Sequence, residues 1–286
     1  MHAQKLGAEI KKIRVMRGLT QKQLSDNICH QSEISRIESG VVYPSMDILQ
    51  GMAAKLQIPI IHFYEVLAYS DIERKKQFMS HIKALCKQKK YEEIYKKVWD
   101  ELKKEEDHPE FQQFLLWHHH LSGYVLKKIN YDYCILELKK LINQQLVGID
   151  VFQNLHIENS IANIYAENGH IQKSLELYQD ILKQLESLHS NREFAVKVGY
   201  NYAKTLYSDE QYERALYQVE KAIETSCGMG NMTLIGQLFY QKGECLKKLG
   251  HSEDEIRTAY EKALFFFELL DLHSYKNTLL NKLNIQ

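Results

Sequence analysis

A short polar segment at residues 31–36 carries side chains whose types and spacing suit contact with nucleic acid. Its polar members are Gln31, Ser32, Glu33, Ser35 and Arg36. Ile34 and Ile37 lie at helical spacing, so the polar side chains are expected on the opposite face of a helix, pointing away from its core. Amide, hydroxyl and guanidinium groups in that position contact base edges and phosphates when a helix enters the DNA major groove. We therefore predict a DNA-contacting helix here.

A second short helix precedes this segment and completes a helix-turn-helix pattern. Thr20 is a favourable N-cap, and Gln23 three residues later completes a capping box. Gly40 stands where a left-handed residue ends a helix. The pattern predicts helices over residues 20–28 and 31–39, with a turn around residues 29 and 30. Gln21, at the start of the first helix, is predicted to contact a DNA phosphate.

The segment from Arg14 to Leu56 resembles the helix-turn-helix domain of the phage-repressor (Cro/C1) family. The matching residues are Arg14, Arg17-Gly18-Leu19-Thr20-Gln21, Leu24, Ile34-Ser35-Arg36-Ile37-Glu38, Gly40, Pro44-Ser45 and Leu49. The resemblance implies a lambda-repressor-like domain, which we place at residues 1–58. It also implies that Arg14 pairs with Glu38 to brace the fold, and that these two residues do not contact DNA.

Composition indicates an all-α protein. The 286 residues include only 3 Pro and 13 Gly, and long runs rich in Leu, Ile, Lys and Glu predict helices throughout. No apolar run approaches the ~18 residues needed to cross a membrane, and the N-terminus lacks a signal-peptide apolar region, so we expect a cytoplasmic protein. The 5 cysteines form no C-x-x-C pair, and we expect buried free thiols in place of disulfides or zinc ligands.

Charge gives only weak support for DNA binding. The formal net charge of the chain is zero, and residues 1–69 hold 8 Lys or Arg against 6 Asp or Glu. The DNA prediction therefore rests on the motif and not on electrostatics. Weak attraction by one domain favours a homodimer, in which two DNA-binding domains gain affinity through avidity.

The segment Ile60–Leu67, IIHFYEVL, is apolar almost all round and follows Pro59. Because such a helix needs neighbours on both sides, we predict a connector helix over residues 59–69 that packs between domains or between subunits. We expect dimerisation to run through this connector and through the region that follows it.

From about residue 70 the sequence repeats every 40 residues or so. The residues that follow the predicted turns are Tyr91, Tyr131, Ile171, Tyr212 and Ser252, and small residues recur at Gly123, Ala162, Ala203 and Gly243. This pattern resembles tetratricopeptide helix pairs, lengthened from the usual ~34 residues. It predicts a right-handed solenoid over residues 70–286, with five helix pairs and a capping helix. The predicted pairs are 72–104, 110–146, 151–187, 193–227 and 231–269, and the cap is 272–284.

The small residues set the register of the concave side of this solenoid. Positions six and three before each small residue, and one after it, are expected to face the groove. The selected residues are Trp117, His120, Tyr124, His156, Asn159, Asn163, Gln237, Tyr240 and Glu244, with Asn201 one step from the same line. Amides suit the backbone of an extended peptide, and the resemblance implies that asparagines near these positions hold it. The alternative is a row of ordinary surface polar residues.

One corner of the groove is expected to be basic. Lys87 and Lys89 end the first inner helix, and Tyr64 on the connector completes the corner. A lysine suits a single carboxylate, so we predict that this corner binds an acidic group of the peptide and that Tyr275 closes the far end. The alternative is that both lysines only neutralise helix-end carbonyls.

The remaining motifs give no support for catalysis or a metal site. Trp117-His118-His119-His120 invites a metal hypothesis, but consecutive helical residues point about 100° apart and cannot converge on one ion. No Walker loop, G-x-S-x-G or G-x-G-x-x-G is present. We expect no enzyme activity and no cofactor.

Taken whole, the chain resembles the peptide-responsive transcription regulators of Gram-positive bacteria, which join this DNA-binding module to tetratricopeptide-like repeats. The resemblance implies an activator whose homodimer binds an inverted repeat of promoter DNA when a short signalling peptide occupies the groove. A rival hypothesis is a repeat protein that sequesters a protein partner, with the N-terminal domain serving dimerisation. An aspartate-phosphatase regulator is a variant of that rival, although such chains lack Gln31-Ser32-Glu33 and Arg36.

Overall fold

A computed structural model describes residues 2–68, 72–104, 108–143, 151–188 and 191–283. These residues form sixteen α-helices and contain no β-strand, which confirms the predicted all-α fold. The helices are α1 (His2–Met16), α2 (Gln21–Ser25), α3 (Gln31–Glu38), α4 (Met46–Leu56), α5 (Ile61–Ala68), α6 (Ile72–Lys87), α7 (Tyr91–Leu102), α8 (Pro109–Val125), α9 (Tyr131–Asn143), α10 (Val151–Glu167), α11 (Ile171–Ser187), α12 (Arg192–Ser208), α13 (Tyr212–Met229), α14 (Ile235–Leu249), α15 (Glu253–Leu269) and α16 (His273–Leu283).

The chain divides into two compact units, residues 1–112 and residues 113–286. The first unit holds α1 to α7 and the start of α8, and the second holds the remainder. The predicted domain boundaries after residues 58 and 69 stay predictions. Three predicted helix ends, at residues 69, 146 and 284, lie outside the described residues.

The helix-turn-helix pattern is present, but its first helix is shorter than predicted. The capping box is confirmed: the Thr20 hydroxyl accepts a hydrogen bond from the Gln23 amide nitrogen at 3.1 Å, and the Gln23 side chain accepts one from the Thr20 nitrogen at 2.8 Å. The predicted end at residue 28 was wrong, because α2 stops at Ser25 and Asn27 takes a left-handed conformation with φ 58°. Asparagine tolerates that conformation and favours turns. The turn therefore spans residues 26–30, while Gly40 ends α3 with φ 73° as predicted.

The helix α5 packs into the core of the helix-turn-helix. That core is an apolar cluster of buried residues: Leu6, Ile10, Leu24, Ile34, Ile37, Leu49, Met52, Ala53, Leu56 and Phe63. Phe63 of α5 is fully buried there, with Ile60 and Leu67 packed at the edge. The opposite face of α5 exposes Ile61 by 58%. One side of the predicted connector is thus covered by the core of the helix-turn-helix.

The helix pairs beyond residue 70 agree with the predicted repeat. Tyr91, Tyr131, Ile171 and Tyr212 are the first residues of α7, α9, α11 and α13, and Ser252 is the N-cap of α15. These residues share a role because each begins the second helix of its pair, directly after the turn. The five predicted pairs and the capping helix α16 are confirmed to within a few residues at each described end.

Small residues allow the two helices of a pair to cross closely. Ala162 and Ala203 are fully buried, and the Ser174 hydroxyl donates to the Ala162 carbonyl oxygen at 2.8 Å. At Gly243 an added Cβ would lie 2.6 Å from the ring of Tyr260, which is closer than real Cβ contacts. The tyrosine ring fills the space left by the missing side chain, so the small residue is a packing requirement.

All five cysteines are free thiols, but they are not all buried. Cys134 and Cys245 are fully buried and Cys29 and Cys86 are half-buried, whereas Cys227 is exposed. The expectation of burial was wrong for Cys227, which follows the buried Ser226 on α13. Neighbouring helical residues point about 100° apart, so the residue after a buried one can face solvent. Separately, none of the described helices combines the length and apolar character needed to cross a membrane.

Candidate functional site

The residues predicted to contact DNA form one exposed face of α3. Ile34 and Ile37 are buried in the core beneath, and the polar side chains project from the other side. Gln31, Ser32, Ser35 and Arg36 are exposed, and Glu33 is half-buried. The amphipathic pattern therefore places all five predicted side chains of this helix on its outer surface.

A buried ion pair braces this face from behind. The Arg14 guanidinium donates through Nε to Glu38 Oε1 at 2.5 Å and through Nη2 to Glu38 Oε2 at 2.9 Å. Its Nη1 donates to the Leu19 carbonyl oxygen at 2.7 Å. Burial alone would raise the pKa of Glu38, but the hydrogen bonds from Arg14 and Gln21 outweigh it, and the pKa lies below its ordinary value. The carboxylate is ionised at neutral pH, and the pairing implied by the resemblance is confirmed.

Gln21 links this ion pair to the start of α3. Its Nε2 donates to Glu38 Oε2 at 2.9 Å, and its Oε1 accepts a hydrogen bond from Gln31 Nε2 at 2.8 Å. Both residues border an open depression of about 610 Å³, together with Arg14, Thr20 and the exposed Lys22. Amides, a hydroxyl and an ammonium around an open depression suit a phosphate backbone.

In the second unit, α8 contributes three predicted groove residues. Trp117 donates through Nε1 to the Ser160 hydroxyl at 3.0 Å, and its ring stacks 6.1 Å from that of His156. The His156 ring in turn lies 3.8 Å from that of Phe194. Tyr124 accepts a hydrogen bond from Asn168 and donates to Glu167 at 3.0 Å. Since α8 and α10 are linked through these polar and ring contacts, their inner faces form one continuous surface.

Two of the three predicted asparagines are hydrogen-bonded to each other, and the third is hydrogen-bonded to a tyrosine. Asn201 Nδ2 of α12 donates to Asn159 Oδ1 of α10 at 3.2 Å, and Asn159 is only 4% exposed. Asn163 differs because its Oδ1 accepts the hydroxyl hydrogen bond of Tyr178 at 2.5 Å, from the second helix of the same pair. The structure thus brings Asn159 and Asn201 together and commits the Asn163 oxygen to a packing bond.

On α14, one hydrogen-bond acceptor lacks a donor and can be called open, whereas a second acceptor is occupied by donors of the protein itself. Gln237 is 7% exposed, and its buried Oε1 accepts no hydrogen bond from any residue that the structure describes. Glu244, by contrast, accepts hydrogen bonds from the Tyr260 hydroxyl and from Lys282 of α16. Lys282 also lies 5.5 Å from the centre of the Tyr240 ring. Because an unpaired buried oxygen is costly, the Gln237 oxygen is a candidate acceptor for a hydrogen bond from a ligand.

The four remaining residues that were predicted to bind the peptide lie in both units, and each has contacts or exposure within its own unit. In the first unit, the Tyr64 hydroxyl donates to the Met46 sulfur at 2.9 Å. Lys87 ends α6 and Lys89 has a left-handed backbone with φ 56°, and both side chains are exposed. In the second unit, Tyr275 of α16 stacks on Phe267 at 5.4 Å and is 45% exposed.

Two residues of this surface were missed by the sequence prediction. Tyr200 of α12 is half-buried, and burial, with smaller contributions from Tyr275 and Tyr240, raises its pKa to about 12. It stands three residues before Ala203, so the register used for the other helices would have selected it. Lys282 carries no such signal, because it is 38 residues from its partner Glu244.

The histidine run has no metal-binding arrangement. His118 is buried while His119 and His120 are half-buried, and burial lowers the pKa of both His119 and His120. Among the described residues, no three His, Cys, Asp or Glu side chains are grouped so that they could share an ion. The imidazoles lie among aromatic neighbours, including the Trp117 ring 4.3 Å from that of His118.

Comparison with known families gives two matches that together span most of the chain. Residues 79–284 match the RNPP family C-terminal domain, and residues 10–63 match a helix-turn-helix model. No curated protein matches the chain at a significant level.

Solved structures extend the similarity to the whole chain. The structure of Bacillus thuringiensis PlcR in complex with the peptide PapR7 and DNA is 71% identical, with a TM-score of 0.90 over 97% of this chain and 99% of that one. The apo form of PlcR from the same organism is 66% identical, with a TM-score of 0.75 over 98% and 99%. The Streptococcus dysgalactiae SHP pheromone receptor Rgg2 shares the fold, at 14% identity and a TM-score of 0.64 over 97% and 98%. These findings confirm the resemblance to peptide-responsive transcription regulators.

Proposed function

Because the chain belongs to the RNPP family, we propose that it is a transcription regulator that binds DNA through α3. It would bind a short peptide through the helix pairs of the second unit, residues 113–286, which we call the repeat unit. The 71%-identical relative was solved with both a peptide and DNA. Transcription regulation is also the function of the family, and no observation here supports a separate enzymatic role.

The DNA-contacting part of the proposal rests on the exposed face of α3. The proposed contacts are Gln21, Gln31, Ser32, Glu33, Ser35 and Arg36. We assign them to a DNA-binding domain at residues 1–58, followed by a connector at 59–69 and a regulatory domain at 70–286. Phe63 anchors the connector helix in the core of the helix-turn-helix, so a change at the connector would be transmitted to that core.

The peptide-binding part rests above all on Gln237. Its buried carbonyl oxygen has no donor among the described residues, although it lies on the inner helix of a repeat. The backbone N–H of an extended peptide is the donor that such an acceptor lacks. The linked amides of Asn159 and Asn201 supply further donors and acceptors on the same series of inner helices.

We propose the same peptide contacts that the sequence predicts, each within its own unit. They are Tyr64, Lys87, Lys89, Trp117, His120, Tyr124, His156, Asn159, Asn163, Asn201, Gln237, Tyr240, Glu244 and Tyr275. We assign an acidic group of the peptide to Lys87 and Lys89, whose side chains are both exposed. Charge reversal at either lysine is expected to weaken the binding of a peptide that keeps its carboxylates. It should weaken the binding of a charge-neutralised peptide less.

The regulatory response follows from differential binding. A homodimer would place two α3 helices on the half-sites of an inverted repeat of promoter DNA. The peptide would favour the arrangement of the two domains that fits this spacing, and so raise DNA affinity and activate transcription.

A pair of matched variants tests the peptide site. Gln237→Met removes the open acceptor at nearly constant volume, and Gln241→Met makes the same change at an equally buried glutamine one turn away on α14. Calorimetric titration with PapR7 should show a loss of about 1–3 kcal/mol for Gln237→Met, the scale of an unsatisfied donor, and little change for Gln241→Met. Equal affinity of Gln237→Met and wild type would contradict the site.

DNA binding is tested separately, with duplexes selected from a random pool by the full chain. Gln31→Ala and Arg36→Ala should weaken specific binding by about 1–3 kcal/mol for each lost bidentate contact while PapR7 affinity is retained. The rival hypothesis of a partner-sequestering repeat protein predicts no selected duplex at all.

A further inference from the structure

We propose that Glu38 is a positioning residue for DNA recognition, because it fixes through Gln21 which way the Gln31 amide faces. This inference rests on the proposed role of α3 in DNA binding. It assigns a part in base discrimination to a buried carboxylate that otherwise serves only to brace the fold.

The ionised carboxylate of Glu38 determines how the Gln21 amide is oriented. Ionised Glu38 has only acceptors, so the neighbouring Gln21 must turn its NH₂ group toward it. The 2.9 Å contact from Gln21 Nε2 to Glu38 Oε2 has this orientation. The Glu38 side chain is 2% exposed, so water cannot easily substitute for this partner. Arg14 keeps the carboxylate ionised and in place through two hydrogen bonds.

The orientation of the Gln21 amide in turn orients that of Gln31. With its NH₂ group bound to Glu38, Gln21 directs its oxygen toward α3 and accepts a hydrogen bond from Gln31 Nε2 at 2.8 Å. One N–H and the oxygen of Gln31 then remain for a ligand, in a fixed order along the amide. Adenine presents a donor and an acceptor that such an amide can match.

Loss of the hydrogen bond between Gln21 and Glu38 would free both glutamine amides. A free glutamine amide can rotate by 180°, which exchanges its donor and its acceptor at little cost. If Gln21 were released from Glu38, both amides could rotate together, and Gln31 would offer both orders. The protein would still bind DNA, but it would distinguish bases poorly at the position that Gln31 contacts.

The test measures equilibrium binding of the full chain, with PapR7 present, to the selected duplex and to each of its single-base variants. Gln31→Ala first locates the base pair at which Gln31 discriminates. If Gln31→Ala changes discrimination at no position, the proposed DNA contact of Gln31 fails, independently of the amide chain.

Gln21→Met then removes the amide that links Glu38 to Gln31 and leaves the Arg14–Glu38 pair intact. Discrimination at the Gln31 position should fall from about ten-fold or more to within about three-fold, with other positions unchanged. Lys22→Met is the control, since loss of an exposed charge beside the same depression should weaken all duplexes evenly. An even loss, or no loss, with Gln21→Met would overturn the proposal and leave Gln21 as a phosphate contact or a bystander.

Glu38 itself is tested with Glu38→Gln and Glu38→Asp, with folding followed by circular dichroism. Glu38→Asp keeps a charge beside Arg14 but withdraws the carboxylate from Gln21, so it covers the case in which Glu38→Gln does not fold. Either folded variant should lose discrimination at the same position as Gln21→Met, and the double variant with Gln31→Ala should lose no more. Full discrimination in a folded Glu38 variant, or additive losses in the double variant, would overturn its positioning role.

Discussion

The face of α3 and the inner face of the repeat unit differ in how completely their polar groups are engaged. Behind α3, a buried ion pair and two glutamines form one connected network. On the repeat face, Glu244 is held by Lys282, but the buried oxygen of Gln237 has no donor among the described residues. A connected network holds a surface in one arrangement before the ligand arrives, whereas an open acceptor awaits the ligand. The face of α3 is therefore the more preorganised of the two.

The largest expected effect separates the ion pairs of the two regions. Glu38→Ala leaves Arg14 buried without its partner and should lower the free energy of unfolding by about 3–5 kcal/mol. Lys282→Ala breaks a pair whose lysine side chain is 35% exposed, and should cost no more than about 1 kcal/mol. Urea denaturation of both variants measures the difference. Similar costs would contradict the contrast between a buried and a solvated pair.

The Glu38 effect has a defined pH dependence. Since the pKa of Glu38 is lowered in the folded state, its contribution is fully present above the ordinary glutamate value of about 4.3. It is lost as the pH falls through the lower folded value. The stability gap between wild type and Glu38→Ala should therefore narrow only below about pH 4, as stability measured across an acid series would show.

The next effect concerns how firmly α5 is attached to the DNA-binding helices. Phe63→Ala empties a fully buried position in their core and should cost about 3–5 kcal/mol. Ile61→Ala, on the 58%-exposed face of the same helix, should change stability by less than about 0.5 kcal/mol. Thermal denaturation of both variants would decide the matter, and equal effects would show that α5 packs differently.

A smaller effect tests the close helix crossing in the repeat unit. Gly243→Ala would push a methyl group into the Tyr260 ring and should cost about 1–3 kcal/mol through overpacking. The control is Gly228→Ala near the end of α13, where an added Cβ meets no atom within 4 Å. That change should be neutral or stabilising by up to about 1 kcal/mol, because alanine favours the helix. Chemical denaturation that ranks the two in the opposite order would contradict the packing role of Gly243.

The smallest effect sharpens the difference between the occupied and the open acceptor. Lys282→Met frees Glu244 from its ammonium partner, so a peptide N–H no longer competes with Lys282 for the carboxylate. PapR7 should bind a few-fold more tightly, on the scale of an exposed ion pair of about 0.2–1 kcal/mol. Calorimetric titration showing weaker binding would mean that Lys282 positions Glu244 for the peptide.

The sequence predicted the helices better than the contacts between side chains. Turn residues such as Gly40 and the repeated residues from Tyr91 to Ser252 mark helix boundaries directly, since backbone preferences are local. The end of α2 was misplaced because the turn preference of Asn27 does not by itself fix where a helix ends, and its left-handed backbone is not evident from spacing. Local patterns locate most helix boundaries, and they leave open which residue takes the turn conformation.

Side-chain partners proved harder to predict because they join distant residues. The exposed face of α3 followed from amphipathic spacing, but the bond between Gln21 and Glu38 spans 17 residues and that between Glu244 and Lys282 spans 38. Glu244 and Asn163 were predicted as peptide contacts from register alone, and both are already engaged within the protein. Register selects the face of a helix, whereas rotamers and neighbours decide which groups on it stay available.

The central claim is that a peptide on the open repeat face increases DNA binding by the preorganised α3 face. The direct measurement is fluorescence anisotropy of a selected duplex titrated with the full chain, with and without PapR7, for wild type, Gln237→Met and Gln31→Ala. PapR7 should lower the Kd of wild type for DNA by about five-fold or more, consistent with a coupling of about 1–3 kcal/mol. Gln237→Met should need far more peptide for the same gain, and Gln31→Ala should bind the peptide as wild type does but bind the duplex more weakly. An identical DNA affinity of wild type with and without bound PapR7 would contradict the account.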